Sequence, residues 1–120
     1  MTWLLIAFLV SVCAGMVLCR LSERMAETRG LRLLVENLTR EQRRQYQTCG
    51  YFDARGSVTG RRYRINHGVS RNVIELGTPQ ARSGRCFAPQ GQLVAGDCML
   101  AQKIAIENYE DEVLSKALPF

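Results

Sequence analysis

The stretch from Trp3 to Cys19 contains no charged residue, and no other part of the chain is comparably apolar. As a helix these residues span about 25 Å, the short end of what a bilayer core requires. Leu, Ile, Phe and Val dominate the stretch. In lipid a lone segment satisfies its own amides only as a helix. Trp3 stands at one edge, where an indole ring favours the membrane interface. Residues 1–19 therefore read as a single transmembrane helix.

A cleaved signal peptide is the competing reading, because Val12-Cys-Ala14 offers small residues for cleavage after Ala14. Against it, Met1-Thr2 supplies no basic n-region, and the apolar run exceeds the roughly 7–15 residues of a signal core. Neither Cys13 nor Cys19 follows a small residue, as a lipoprotein acceptor would. Orientation follows from the flank. Arg20, Arg24, Arg29 and Arg32 come directly after the apolar run, and basic flanks stay cytoplasmic. The expectation is a single-pass protein of a bacterial inner membrane with its C-terminal part inside. The membrane-flanking residues are Trp3, Arg20, Arg24, Arg29 and Arg32.

About 100 residues remain after the anchor, enough for one small core. The formal net charge of +5 is unevenly spread. It is positive over residues 20–48 and again over 49–92, and negative over 93–120. Of the five cysteines, Cys49, Cys86 and Cys98 lie beyond the apolar run. Three thiols suit a reducing cytoplasm. Cleavage after Ala14 would leave four, which outside the cytoplasm can form two disulfides in three connectivities.

The spacing Leu31, Leu34, Val35, Leu38 predicts a helix continuing from the anchor, with Gly30 as its weak point or bend. This juxtamembrane helical segment is taken as residues 20–48. Thr39-Arg-Glu-Gln42 fits a capping box for a second, short helix ending at Gly50. Asn37-Leu-Thr39 is also a glycosylation sequon, relevant only in a eukaryotic secretory lumen. The third segment is residues 49–120. Gly50–Arg55 and Arg61–Ile65 read as a hairpin around Gly56-Ser-Val-Thr-Gly60, with further strands at Asn72–Leu76 and Arg85–Ala88. Strands thus occupy about 50–88. A helix over about 97–117 closes the chain, with Asp97 as its N-cap and a stripe of Ile106, Tyr109, Val113 and Ala117. Leu100 and Ile104 form a second patch. The expected fold is α+β: one transmembrane helix, then an antiparallel meander of three or four strands flanked by helices.

Gly50-Tyr-Phe-Asp53, Thr59-Gly-Arg-Arg-Tyr-Arg-Ile65, Asn72-Val73, Cys86-Phe87, Gly96-Asp97 and Met99-Leu-Ala-Gln-Lys-Ile104 together resemble a core pattern of small bacterial proteins to which no function is attached. The resemblance covers roughly residues 38–117. It implies a bacterial source and an intact domain, and no activity.

Arg55, Arg61, Arg62, Arg64 and Arg71 are the candidate partner- or anion-binding set. Interleaved with Tyr51, Phe52 and Tyr63, they also suggest a stacking platform for single-stranded nucleic acid, although no RNP-type motif accompanies them. Gly56-Ser-Val-Thr-Gly60 followed by Arg61 and Arg62 can cradle a phosphate through its turn amides, but it lacks P-loop spacing, and a plain hairpin turn explains it as well. His67 sits in an Asn-His-Gly turn. With the cysteines it lacks the spacing of a zinc site, and no carboxylate pair is placed for acid–base work. Asp53 and Glu75, the only acids among the strands, are each expected to pair with a neighbouring arginine. No cofactor and no metal is expected. The reading is a non-enzymatic accessory or adaptor protein that presents a basic domain to membrane lipid or to another membrane-associated protein. An exported disulfide-bonded domain and a membrane-tethered nucleic-acid binder are the alternatives, with nucleic acid the less favoured partner.

Overall fold

The apolar run is only the first half of its helix. In a computed structural model describing residues 1–77, 84–87, 91 and 93–120, α1 runs unbroken from Thr2 to Asn37. Its residues are exposed on every side through Arg29. This part of α1 is the one helix among the described residues that is long and apolar enough to cross a membrane. The protruding helix gives the molecule a long axis of 69 Å against 30 and 22 Å.

From Gly30 onward α1 belongs to the folded body. Gly30 and Leu34 are buried, and Leu38 just beyond the helix joins them. The sequence suggests a bend at Gly30, but the helix continues through it without a break. Gly30 is needed for its missing side chain, because Val94 Cγ2 and Asp97 Oδ1, at the start of the last helix, fill the space where a Cβ would stand. A Cβ on Gly96 would overlap the Gly30 carbonyl and the Leu31 nitrogen. These are backbone atoms, which cannot step aside as a side-chain tip can.

Helix α2 spans Arg40–Cys49, between the two signals read in the sequence. The Gln42 amide nitrogen donates to Thr39 Oγ1 at 3.2 Å, and the Thr39 amide donates to Gln42 Oε1 at 3.1 Å, which completes the capping box. Gly50 ends the helix with φ of 76°, a left-handed conformation that favours glycine. Strands β1 (Tyr51–Arg55), β2 (Arg62–Asn66), β3 (Val73–Glu75) and β4 (Gly84–Cys86) follow as an antiparallel meander. Phe52 faces Ile65 and Ala54 faces Tyr63, so the inward side of the hairpin is apolar, as its alternation requires. The sheet residues Phe52, Tyr63, Ile65 and Val73 pack with Leu34, Leu38, Met99, Leu100 and Ile106 in one core.

Helix α3 spans Ala95–Lys116, and after it β5 (Leu118–Pro119) returns to pair with β4. The sheet therefore has five strands in the order β1-β2-β3-β4-β5 rather than three or four. A two-residue strand containing proline leaves no alternation to detect. The Phe120 amide donates to the Gly84 carbonyl at 3.1 Å, and its ring occupies the space a Gly84 side chain would need.

Three details of α3 correct the sequence reading. The helix starts at Ala95, so Asp97 lies inside its first turn and Val94 is the cap residue. Ile104 is exposed whereas Leu100 is buried, so the two do not share a patch. The stripe from Ile106 through Tyr109 is broken because Tyr109 has φ of −137° and ψ of 40°. The kink leaves Tyr109 exposed, while Glu110 is buried. The reading of residues 78–83 as a loop lies outside the described residues.

Replacing Gly by Ala in a helix ordinarily gains about 1 kcal/mol. Gly96→Ala is expected to reverse that sign and destabilise the domain by about 1–3 kcal/mol, because α1 and α3 must separate. Gly15→Ala, where nothing lies within 4 Å of the new carbon, serves as the control. Denaturant unfolding of both variants in detergent checks the difference.

Candidate functional site

The candidate arginines divide by what holds them. Arg62 and Arg64 project from the outer side of β2 onto Asp53 of β1, with N···O distances of 2.6 Å and 3.0 Å. Arg64 also lies 4.0 Å over the Tyr51 ring. Partial burial alone would raise the Asp53 pKa. Hydrogen bonding, led by Arg64, outweighs it and keeps this carboxyl below the ordinary aspartate range. Arg61, just before β2, reaches the buried Glu75 at 3.1 Å, and Arg85 approaches the same carboxylate at 3.9 Å. Each sheet acid thus has arginine partners, as the sequence suggests.

Arg55 and Arg71 are exposed and make no ion pair among the described residues. Arg55 lines an open cleft of about 630 Å³ between α2, β1 and α3, together with Glu41, Gln45 and Ser57. Arg71 stands in the turn before β3 with φ of 51°. The five arginines therefore do not form one uniform cationic face. The aromatic platform is also missing: Phe52 and Tyr63 point into the core, and Tyr51 is covered by Arg64.

The outer edge of β1 is occupied by side chains. The Asp53 amide donates to Gln45 Oε1 at 2.8 Å, and Gln42 Nε2 donates to the Asp53 carbonyl at 2.9 Å. Gln42 Nε2 donates to Glu107 Oε1 as well, at 3.0 Å, and Lys103 pairs with the other oxygen of that carboxylate at 2.6 Å. Two glutamines of α2 thus stand in for a neighbouring strand, which keeps other chains off this edge.

The Gly56–Gly60 turn does cradle an anion, and the anion is Glu110 of the same chain. The Val58 and Thr59 amides donate to Glu110 Oε2 at 3.1 Å and 3.0 Å. The Thr59 hydroxyl donates to Oε1, and the Tyr63 hydroxyl donates to the same oxygen at 3.1 Å. The Glu110 amide in turn donates to Ser57 Oγ at 3.2 Å. Gly56 has no side chain where the carboxylate sits, and a Cβ there would overlap it. Burial alone would push the Glu110 pKa up. The Thr59 hydroxyl, the two turn amides and Tyr63 reverse this, so the carboxyl titrates below the ordinary glutamate range. The Tyr63 hydroxyl is pushed up to about 12, first by burial and then by the Glu110 carboxylate. Spacing reveals the cradle in the sequence but not its occupant, which lies about fifty residues away.

His67 is exposed, and its Nδ1 lies 2.9 Å from the Tyr46 hydroxyl. Among the described residues no three of His, Cys, Asp and Glu converge. No protein-family model, curated protein or solved structure matches the chain.

The Glu110 contribution is present above the ordinary glutamate value and is lost as pH falls through its lower folded value. Glu110→Gln is expected to cost about 2–3 kcal/mol at neutral pH, the scale of hydrogen bonds to a charged group. It should also flatten the acid limb of stability against pH. For Tyr63 the sign is opposite: its contribution holds below about pH 10 and is lost as pH rises through about 12. Tyr63→Phe should reduce that alkaline loss. Denaturant titrations across the pH range read both limbs.

Proposed function

We propose that this chain is a non-enzymatic, single-pass adaptor of a bacterial inner membrane, holding a small basic α+β domain at the cytoplasmic face for a protein partner. The observation that carries the reading is the character of α1. It is apolar and uncovered through Cys19, studded with arginine from Arg20, and built into the domain core from Gly30. A helix with no partner over its first 29 residues is sensible only if something other than water surrounds its apolar half.

The same unbroken helix grades the flanking arginines by depth. Residues 29 and 32 lie about 15 and 20 Å beyond Cys19 along the axis, past a headgroup layer roughly 5–8 Å deep. In a helix standing across the bilayer, Arg20 and Arg24 meet the lipid headgroups. Arg29 and Arg32 then lie beyond the headgroups, and with the exposed Arg55 and Arg71 they are cations left for a partner. An acidic protein surface is the partner this charge suits. Asp53 and Glu75 neutralise much of the remaining arginine charge, and the buried aromatics weaken the nucleic-acid reading.

Export with cleavage after Ala14 is the second reading. It would leave Met16, Val17, Leu18, Leu21 and Met25 on an uncovered helix in water, which costs solubility. A retained anchor avoids this.

Alkaline carbonate extraction of membranes from expressing cells tests the anchor. The full chain is expected in the pellet, and release into the supernatant would overturn the reading. Cys49 is exposed, so an impermeant thiol reagent should reach it only after lysis. Replacing Arg20, Arg24, Arg29 and Arg32 together by Gln should let part of the population label at Cys49 from outside.

A further inference from the structure

Cys86 and Cys98 are twelve residues apart in sequence, on β4 and at the end of the first turn of α3. Gln102 lies one turn after Cys98 on the same helix, and its Nε2 donates to the Phe87 carbonyl at 2.9 Å. The residue next to Cys86 is therefore pinned to α3 one turn from Cys98. Gln102 is fixed in turn by a reciprocal amide pair with the buried Asn72, at 2.8 Å and 2.9 Å. The two sulfurs also border one short turn. Cys98 Sγ lies 3.5 Å from the Val69 carbonyl, and Cys86 Sγ lies 4.0 Å from Ser70 Oγ.

Their accessibility differs. Cys86 is half-buried and Cys98 is buried. Burial, and then the neighbouring Cys86, push the Cys98 thiol above the ordinary range. An external reagent meets Cys86 first, and Cys98 reacts only with what Cys86 brings to it.

We propose that Cys86 and Cys98 are a redox pair that closes to an intrachain disulfide when a small donor disulfide reaches the domain. The Cys86 thiolate attacks one donor sulfur, forming a mixed disulfide and expelling one thiol. Cys98 then attacks the Cys86 sulfur, releases the second donor thiol, and completes the bridge. Two cysteine thiols lose two hydrogens, and the donor disulfide becomes two thiols. The bridge ties the β4–β5 side of the sheet to the start of α3, two residues from the Gly96 crossing with α1. Oxidation therefore stiffens the joint between the domain and the long helix.

The test uses the full chain in detergent, carrying Cys13→Ala, Cys19→Ala and Cys49→Ser. The protein is incubated with oxidised glutathione, alkylated, and read by intact mass and peptide mapping. The expected product has lost two hydrogens, retains no glutathione, and yields a peptide linking residues 86 and 98. With Cys98→Ala added, a glutathione adduct should persist at Cys86. With Cys86→Ser added instead, Cys98 should stay reduced. The proposal is overturned if the parent keeps a stable adduct at Cys86 beside a reduced Cys98. It is equally overturned if both thiols stay reduced under conditions that oxidise Cys49 of the unsubstituted chain.

Discussion

Two helices meet at Gly30 and Gly96 with no side chain between them, and the arrangement of the molecule depends on that contact. Without it α1 would be an apolar helix followed by a loose connector. With it the last two turns of α1 become a wall of the core, and Leu34 is buried against the sheet and α3. An unbroken helix fixed at one end cannot pivot as a flexible linker does. Under the proposed reading, the domain is therefore held at a set height and rotation above the membrane. The separation is the axial length of residues 20–29, about 15 Å.

The second constraint lies at the other end of α3. The helix kinks at Tyr109, and the kink leaves Glu110 inside the hairpin turn that precedes β2. An ionised carboxylate with no solvent exposure is tolerable only when charge-oriented donors surround it. Two amides and two hydroxyls do so here. The glycine-flanked turn thus has the form of an anion site and is filled from within the chain. Its arginines, which look like a ligand's counterions in the sequence, pair instead with Asp53 and Glu75.

What the sequence makes legible is what neighbouring residues decide. Thr39 and Gln42 cap each other three positions apart, Gly50 ends α2, and the alternation of Arg62, Tyr63, Arg64 and Ile65 assigns β2 its two faces. Those features, the long apolar helix and the α+β class can be read directly. Long-range features cannot. Gly30 looks like a flaw in a helix until Val94 and Asp97, more than sixty positions later, are seen to fill the space beside it. Nothing in the sequence sets Glu110 apart from the other acids of its helix, because the donors that bury it belong to a distant turn. Strand β5 exists only because α3 delivers the chain end to β4.

The most direct test of this account is a depth profile of α1 in bilayers. Spin labels placed singly along residues 8–37 of a cysteine-free chain would be read for collision with oxygen and with a water-soluble nickel complex. Positions through residue 19 should be oxygen-rich and nickel-poor, with a crossover between residues 20 and 24. Both reagents should then reach every side of the helix until residue 29. From residue 30, protection should recur with helical period where α3 and the sheet cover one face. Nickel access at residues 8–14, or no periodic protection over residues 30–37, would contradict a membrane helix continuous with the domain core.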